Sequence, residues 1–171
     1  MPTAIPLKAL IREVPDFPQA GIVFRDITPV LRTHFALVIE ALDALFSGND
    51  WQQIDAVCGI ESRGFILAAA LAEKRGKGFV PIRKKGKLPP PVVDRAYALE
   101  YGTGFLEMQP GGGTLLLIDD VLATGGTLHA ANELSETAGY RVHAAGVLID
   151  LKLGATLGCG PHPIRSVIQY G

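Results

Sequence analysis

Two adjacent carboxylates, Asp119 and Asp120, follow the apolar run Thr114-Leu-Leu-Leu-Ile, and Thr124-Gly125-Gly126-Thr127 comes a few residues later. Carboxylates at a strand end can accept hydrogen bonds from the vicinal hydroxyls of a sugar. A glycine-rich loop lets backbone N–H groups close on a phosphate, and a helix opening at Thr127 adds a field that favours an anion. The order therefore assembles a sugar-phosphate site from its parts. A P-loop nucleotide site, which also places an acid after an apolar strand, needs G-x-x-x-x-G-K-[ST]; Gly76-Lys77 and Gly86-Lys87 are followed by Gly and Leu. A dinucleotide site needs G-x-G-x-x-G, which Gly102-Thr-Gly104-Phe-Leu-Glu does not supply. A plain turn with capping acids accounts for the carboxylates, but not for this much glycine.

Four further segments carry groups that could serve such a site. Gly59-Ile-Glu61-Ser62-Arg63-Gly64-Phe65 lies between an apolar run and a helical pattern, where backbone donors and a guanidinium can meet an oxyanion. Taken alone, it reads equally well as helix capping by Ser62. Arg83-Lys84-Lys85-Gly86-Lys87-Leu-Pro-Pro-Pro91 packs four cations among chain breakers. Such a run is usually a solvated loop, but a substrate with several negative charges gives it electrostatic work, and a loop of this kind can close over a reactive centre. It is a poor polyproline ligand, since Pro89 has no proline three positions on. Phe24, in Ile-Val-Phe, is either core or a stacking face; Glu100, in Leu-Glu-Tyr101, is either a strand-edge glutamate or an acid/base group.

The elements that must position these groups alternate. The spacing predicts a short amphipathic helix over about 5–14, a loop over 15–29, and a helix over 34–46 from Phe35, Val38, Ile39, Leu42 and Leu45, ended by Ser47-Gly48. It then predicts a strand at 54–59, a helix at 62–74 and a strand at 78–82. An irregular basic loop follows over 83–95, then short strands near 96–99 and 104–108. After the apolar strand that ends at the carboxylates come a helix over 127–138 and strands over 142–149 and 166–169. Strands alternating with helices make an α/β fold: a mostly parallel central sheet flanked by helices, with sites at the carboxyl ends of the strands.

The chain has 171 residues, a length that suits a single domain spanning 1–171. With 48% hydrophobic and 19% charged residues it reads as globular. A net charge of −1 argues against nucleic acid as the main partner. No apolar run approaches the roughly 20 residues of a bilayer span, and no basic-then-apolar N-terminal signal is present, so no membrane partner is expected. Cys58 and Cys159 lack C-x-x-C spacing and read as thiols of a reducing cytoplasm; the four histidines lack ligand spacing, so no protein-held metal is expected.

The segment Leu-Leu-Leu-Ile-Asp119-Asp120-Val-Leu-Ala123-Thr124-Gly125-Gly126-Thr127 resembles the phosphoribosyl pyrophosphate (PRPP) signature of type I phosphoribosyltransferases. Phe17-Pro-Gln-Ala-Gly21-Ile-Val23-Phe24-Arg25-Asp26-Ile-Thr-Pro29, Pro81-Ile-Arg-Lys-Lys-Gly-Lys-Leu-Pro89, Leu99-Glu-Tyr-Gly102 and Ser166-Val-Ile-Gln-Tyr170 extend the resemblance, over nearly the full length, to the adenine-using branch of that family. The resemblance implies the type I phosphoribosyltransferase fold with a small N-terminal hood over about 1–33. It implies transfer of the 5-phosphoribosyl group of PRPP to adenine, giving AMP and pyrophosphate, in a homodimer. Asp119 and Asp120 would hold the ribose, and Ala123, Thr124, Gly125, Gly126 and Thr127 the 5-phosphate. Glu61, Ser62, Arg63, Arg83, Lys84 and Lys87 would take the pyrophosphate, with a cis peptide between Glu61 and Ser62. Phe24 would stack on the purine, an interaction worth roughly 1–3 kcal/mol, while backbone groups of Val23 and Arg25 read its edge. Glu100 would be the acid/base group, with Tyr101 beside it in a mobile loop. Mg²⁺ would be carried by PRPP rather than held by the protein. Two alternatives accompany this reading: a phosphoribosyltransferase for another purine, and a non-catalytic PRPP-sensing regulator, which would need a DNA-binding element that the chain does not display. Two departures from the family pattern stand out: the short Pro110-Gly-Gly-Gly113 connection, and Gly104 where a larger residue is usual.

Overall fold

A computed structural model describes residues 6–99, 102–153 and 164–171, with backbone only at 98, 99 and 102. The chain falls into two compact units, Met1–Ala41 and Leu42–Gly171.

In the first unit a single 3₁₀ turn, Leu7–Leu10, replaces the expected helix over 5–14. The residues after it form β1 (Arg12–Pro15), which pairs antiparallel with β2 (Val23–Asp26), so the expected loop over 15–29 contains a strand. Cross-strand charge decides this pairing. Arg12 Nη2 lies 2.6 Å from Asp26 Oδ2, and Glu13 faces Arg25 in register and forms an ion pair with it. Opposite charges across an antiparallel pair stabilise it, and helical spacing does not reveal them. The turn between the strands closes through the Gly21 N–H to Asp16 Oδ1, 2.8 Å.

Helix α1 (Thr28–Asp43) begins six residues before the expected start. Asp26 Oδ1 accepts the Thr28 N–H at 2.9 Å, and proline is tolerated in a first turn, where its missing N–H has no intrahelical partner. His34, at φ −138° and ψ 37°, breaks the helix internally. The apolar spacing is therefore regular only after it.

The second unit holds α2 (Gly48–Gln53), whose start at Ser47-Gly48 is expected from the sequence to be only the stop of the preceding helix. Ser47 caps it reciprocally: its Oγ accepts the Asp50 N–H, and Asp50 Oδ2 accepts the Ser47 N–H. The chain then runs through β3 (Ala56–Ile60), α3 (Arg63–Arg75), β4 (Gly78–Lys84), β5 (Val93–Leu99), β6 (Gly102–Met108), β7 (Gly113–Leu122), α4 (Gly126–Thr137), β8 (Tyr140–Asp150) and β9 (Ile164–Gln169). The expected irregular stretch over 83–95 shrinks to the residues between β4 and β5.

Seven strands form one sheet in the order β5-β6-β4-β3-β7-β8-β9. β4, β3, β7, β8 and β9 are parallel, while β6 joins β4 antiparallel and pairs with β5 as a hairpin. β7 lies inside the sheet between β3 and β8 and is buried from Thr114 to Asp120, as its near-continuous apolar run requires of a parallel strand covered on both faces. Alternation along the strands assigns the faces. Cys58, Ile60, Leu115 and Leu117 form one core with Leu128, Ala131 and Leu134 of α4. The residues between them point the other way, where α3 packs on β3 and β7.

Candidate active site

The carboxylate pair lies inside β7 rather than beyond its end. The strand continues to Leu122 because Asp119 pairs with Val147 of β8 and Val121 with Ile149. Asp119 Oδ1 accepts the Asp120 N–H at 2.9 Å, and Arg63 Nε stands 2.7 Å from Asp120 Oδ2. The Asp119 carboxyl is almost wholly buried. Burial and then the charge of Asp120 push its pKa well above the usual carboxylate range, against the Asp120 N–H and the charge of Arg63, which favour ionisation.

Past Leu122 the chain turns through Ala123, Thr124 and Gly125 into α4. Gly125 sits at φ +88°, in the left-handed region that a glycine enters without steric cost. Having no side chain, it also leaves the first N–H groups of α4 uncapped by its own atoms. Residues Val121 to Leu128 line a small concavity. Carboxylates, turn and helix N-terminus are thus contiguous.

A second set of groups gathers at the ends of β3 and β4. The Glu61–Ser62 peptide is cis, as the resemblance implies. Glu61 Oε2 accepts from Arg83 Nε at 3.1 Å and from the Lys84 N–H at 3.0 Å. Burial works against the charge of Glu61, but the Lys84 N–H and Arg83 together outweigh it and hold the carboxyl below its ordinary value. The Arg83 guanidinium also reaches the Lys87 carbonyl at 3.3 Å and lies over the Phe65 ring. Lys84 and Lys87 are exposed. Ser62 precedes α3, which carries Arg63 in its first turn. The expected pyrophosphate residues are therefore neighbours, with Glu61 turned toward Arg83.

Val23, Phe24 and Arg25 occupy β2 of the first unit. Val23 is exposed, Phe24 is half-buried and meets Phe17 edge to face at 5.2 Å, and Arg25 pairs with Glu13. Glu100 and Tyr101 lie outside the described residues, as does Cys159. Cys58 is a buried thiol in β3.

The sequence reading missed three residues. Glu107 of β6 accepts three backbone N–H groups of the basic turn, from Gly86 at 2.9 Å and from Lys87 and Leu88 at 2.6 Å each. Tyr97 of β5 lies opposite Gly104, and its ring occupies the space that a side chain at 104 would fill. Burial and the charge of Asp119 raise the pKa of its hydroxyl. Gly64 meets β7 beside Asp119. The glycines at 64 and 104 were visible as small residues, but what they make room for was not.

Residues 32–154 match the family model described as phosphoribosyl transferase domain. A curated adenine phosphoribosyltransferase of Hydrogenovibrio crunogenus is 48% identical over 166 residues, covering 96% of each chain. The crystal structure of adenine phosphoribosyltransferase from Rhodothermus marinus is similar at 47% identity and a TM-score of 0.85, covering 95% of this chain and 96% of that one. A Saccharomyces cerevisiae adenine phosphoribosyltransferase, solved with an imino-altritol bisphosphate and adenine, is 34% identical with a TM-score of 0.87, covering 94% and 96%.

Proposed function

Because the chain belongs to the phosphoribosyltransferase family, we propose that it transfers the 5-phosphoribosyl group of PRPP to adenine, giving AMP and pyrophosphate. The adenine specificity rests on relatives such as those of Hydrogenovibrio and Rhodothermus, at 48% and 47% identity over nearly the whole chain. The observation that carries the chemistry is the continuity of Asp119 and Asp120 with the Gly125 turn and the N-terminus of α4.

The reaction is substitution at the anomeric carbon of the ribose through a cation-like state: purine N9 attacks as pyrophosphate leaves. Asp119 and Asp120 accept hydrogen bonds from the ribose hydroxyls, and their charge offsets the positive charge that develops beside them. Residues 123–127 bind the 5-phosphate through backbone N–H groups and the α4 dipole. Arg63, Arg83, Lys84 and Lys87 hold the departing pyrophosphate, with Glu61 and Ser62 shaping the turn from which Arg63 projects. Phe24 stacks on the adenine, the backbone of Val23 and Arg25 reads its edge, and Glu100 manages the purine proton, with Tyr101 beside it. Positioning and electrostatics supply most of the rate.

Mg²⁺ is the cation this chemistry implies. Among the described residues no three His, Cys, Asp or Glu side chains gather as a metal site. Two hard carboxylates beside a polyphosphate site suit an ion that keeps most of its ligands from substrate oxygens and water. When bound with PRPP it neutralises charge on the leaving group. Among the described residues no helix is long and apolar enough to cross a membrane. The family resemblance supports a homodimer, which sedimentation of the purified chain tests, and the cysteine pattern supports a cytoplasmic setting.

The functional test is pyrophosphate release with PRPP and Mg²⁺, offering adenine, hypoxanthine, guanine and xanthine separately. Turnover confined to adenine is expected. Turnover with another purine would overturn the base assignment, and tight PRPP binding without turnover would favour a PRPP sensor.

A further inference from the structure

The turn after β4, which carries Lys85 and Lys87, is fastened to β6 by groups that take no part in the chemistry above. Arg83 and Lys84 pair in register with Glu107 and Leu106, and the Lys85 N–H reaches the Phe105 carbonyl at 3.1 Å. Past that point the strand ladder ends. Glu107, only 2% exposed, takes over by accepting the N–H groups of Gly86, Lys87 and Leu88. Successive N–H groups converging on one carboxylate form an anion nest, filled here by the protein's own side chain. The Gly86 N–H and its neighbours hold the Glu107 carboxyl below its ordinary pKa, so it stays charged at neutral pH.

A buried negative charge beneath a basic turn is electrostatically the wrong sign for recruiting an anion. On charge alone, its removal should improve the binding of a polyanion. Its geometry points to a different use: three backbone bonds fix the turn while the lysine side chains on it remain exposed. We infer that Glu107 is a positioning residue that presents Lys87, beside Lys84 at the end of β4, to the pyrophosphate end of PRPP by holding the backbone of Gly86, Lys87 and Leu88. This rests on the proposed function for the identity of the polyanion, but not for the mechanical claim.

The two accounts differ in sign, which makes the proposal testable with Glu107→Gln. An amide has the size of the carboxylate but turns an NH₂ donor toward backbone donors. If Glu107 positions the turn, the KM for PRPP rises about 5–20-fold, the scale of losing one charge-assisted hydrogen bond. Inhibition by inorganic pyrophosphate weakens in parallel, and the KM for adenine is unchanged. Amide exchange at residues 86–88 accelerates while the rest of the sheet keeps its protection. Unchanged or tighter PRPP and pyrophosphate binding would overturn the inference.

Gly86→Ala provides a second route should the first variant fail to fold. Gly86 sits at φ +85° with nothing within 4 Å of an added Cβ, so alanine strains the same turn without a clash and with Glu107 intact. It should reproduce the PRPP and pyrophosphate defects; wild-type values would count against the inference. If the wild-type protein turns over none of the four purines, the functional reading fails on its own. Calorimetric titration of wild type and Glu107→Gln with inorganic pyrophosphate then decides: weaker binding by the variant upholds the positioning role, and equal, tighter or absent binding in both removes it.

Discussion

Gly64 of α3 abuts Asp119 of β7 so closely that a Cβ on Gly64 would lie 2.9 Å from the Ile118 carbonyl oxygen and 3.1 Å from Asp119 Oδ1. The missing side chain lets the helix that carries Arg63 press against the strand that carries the carboxylates. Arg63 and Asp120 can then meet at 2.7 Å.

Gly64→Ala should therefore act on the site as well as on the fold. Overpacking of this kind costs about 1–3 kcal/mol, measurable by urea denaturation. Displacement of Asp119 should lower kcat/KM by roughly 10–100-fold, on the scale of a 1 Å misplacement at a reacting centre. An alanine variant with wild-type kinetics would mean that the contact has slack.

Asp119→Asn should stabilise the ligand-free protein at neutral pH while abolishing turnover. The folded-state pKa of Asp119 is raised, so the fold binds the proton more tightly than the unfolded chain does. Below about pH 4, the ordinary carboxylate pKa, both states are protonated and there is no penalty. As pH rises above that value the unfolded chain ionises first, and wild-type stability falls until the folded carboxyl also ionises. The advantage of the variant should grow from about pH 4 upward, with a melting-temperature gain of roughly 2–4 °C for each kcal/mol. A variant less stable than wild type at pH 7 would refute this.

Gly104→Ala should be destabilising for a reason that a second substitution removes. A Cβ at 104 would fall 2.6 Å from Tyr97 Cε1 and 2.9 Å from its hydroxyl oxygen. The cost should be about 1–3 kcal/mol, and in Tyr97→Ala the same glycine change should cost little. A double-mutant cycle reads this directly; additive effects would dissociate the pair.

Acid stability should depend on Asp50, a carboxylate outside the site motifs. Its carboxylate accepts from Arg165 Nη1 at 2.8 Å and from the Ser47 N–H at 2.8 Å, and it lies 2.9 Å from His143 Nε2. Arg165 foremost, against some burial cost, holds its pKa far below the usual range. A depressed carboxyl stabilises the fold fully above the unfolded value near pH 4, and that contribution is lost as pH falls below it. Asp50→Asn should cost roughly 1.5–3 kcal/mol at pH 7 and much less near pH 2. Equal loss at both pH values would exclude the ionic origin.

Strand β7, helices α3 and α4 and the mostly parallel character of the sheet are legible because burial on both faces or on one stripe imposes a composition that survives in one dimension. Leu115 to Ile118 can only be a covered strand, and Thr127 to Ala138 can only present one apolar face. The β1–β2 pair was not legible, since it depends on Arg12 meeting Asp26 and Glu13 meeting Arg25 across a turn containing Pro18. The early start of α1 was hidden by the irregular His34, and α2 by a Ser-Gly pair that looked like a stop and is in fact a cap.

The sequence by itself determined which chemical groups are present and their order: two carboxylates, a glycine turn, a helix, and a run of cations. These are contiguous segments whose local physics is independent of distant partners. Only the tertiary structure decided that β7 runs on through Asp119 and Asp120, that Glu61 faces Arg83, that Glu107 fills the nest under the basic turn, and that glycines at 64 and 104 leave room for neighbours. Each of these joins residues separated by many positions, and close packing leaves no trace of such a contact in the sequence of either partner alone.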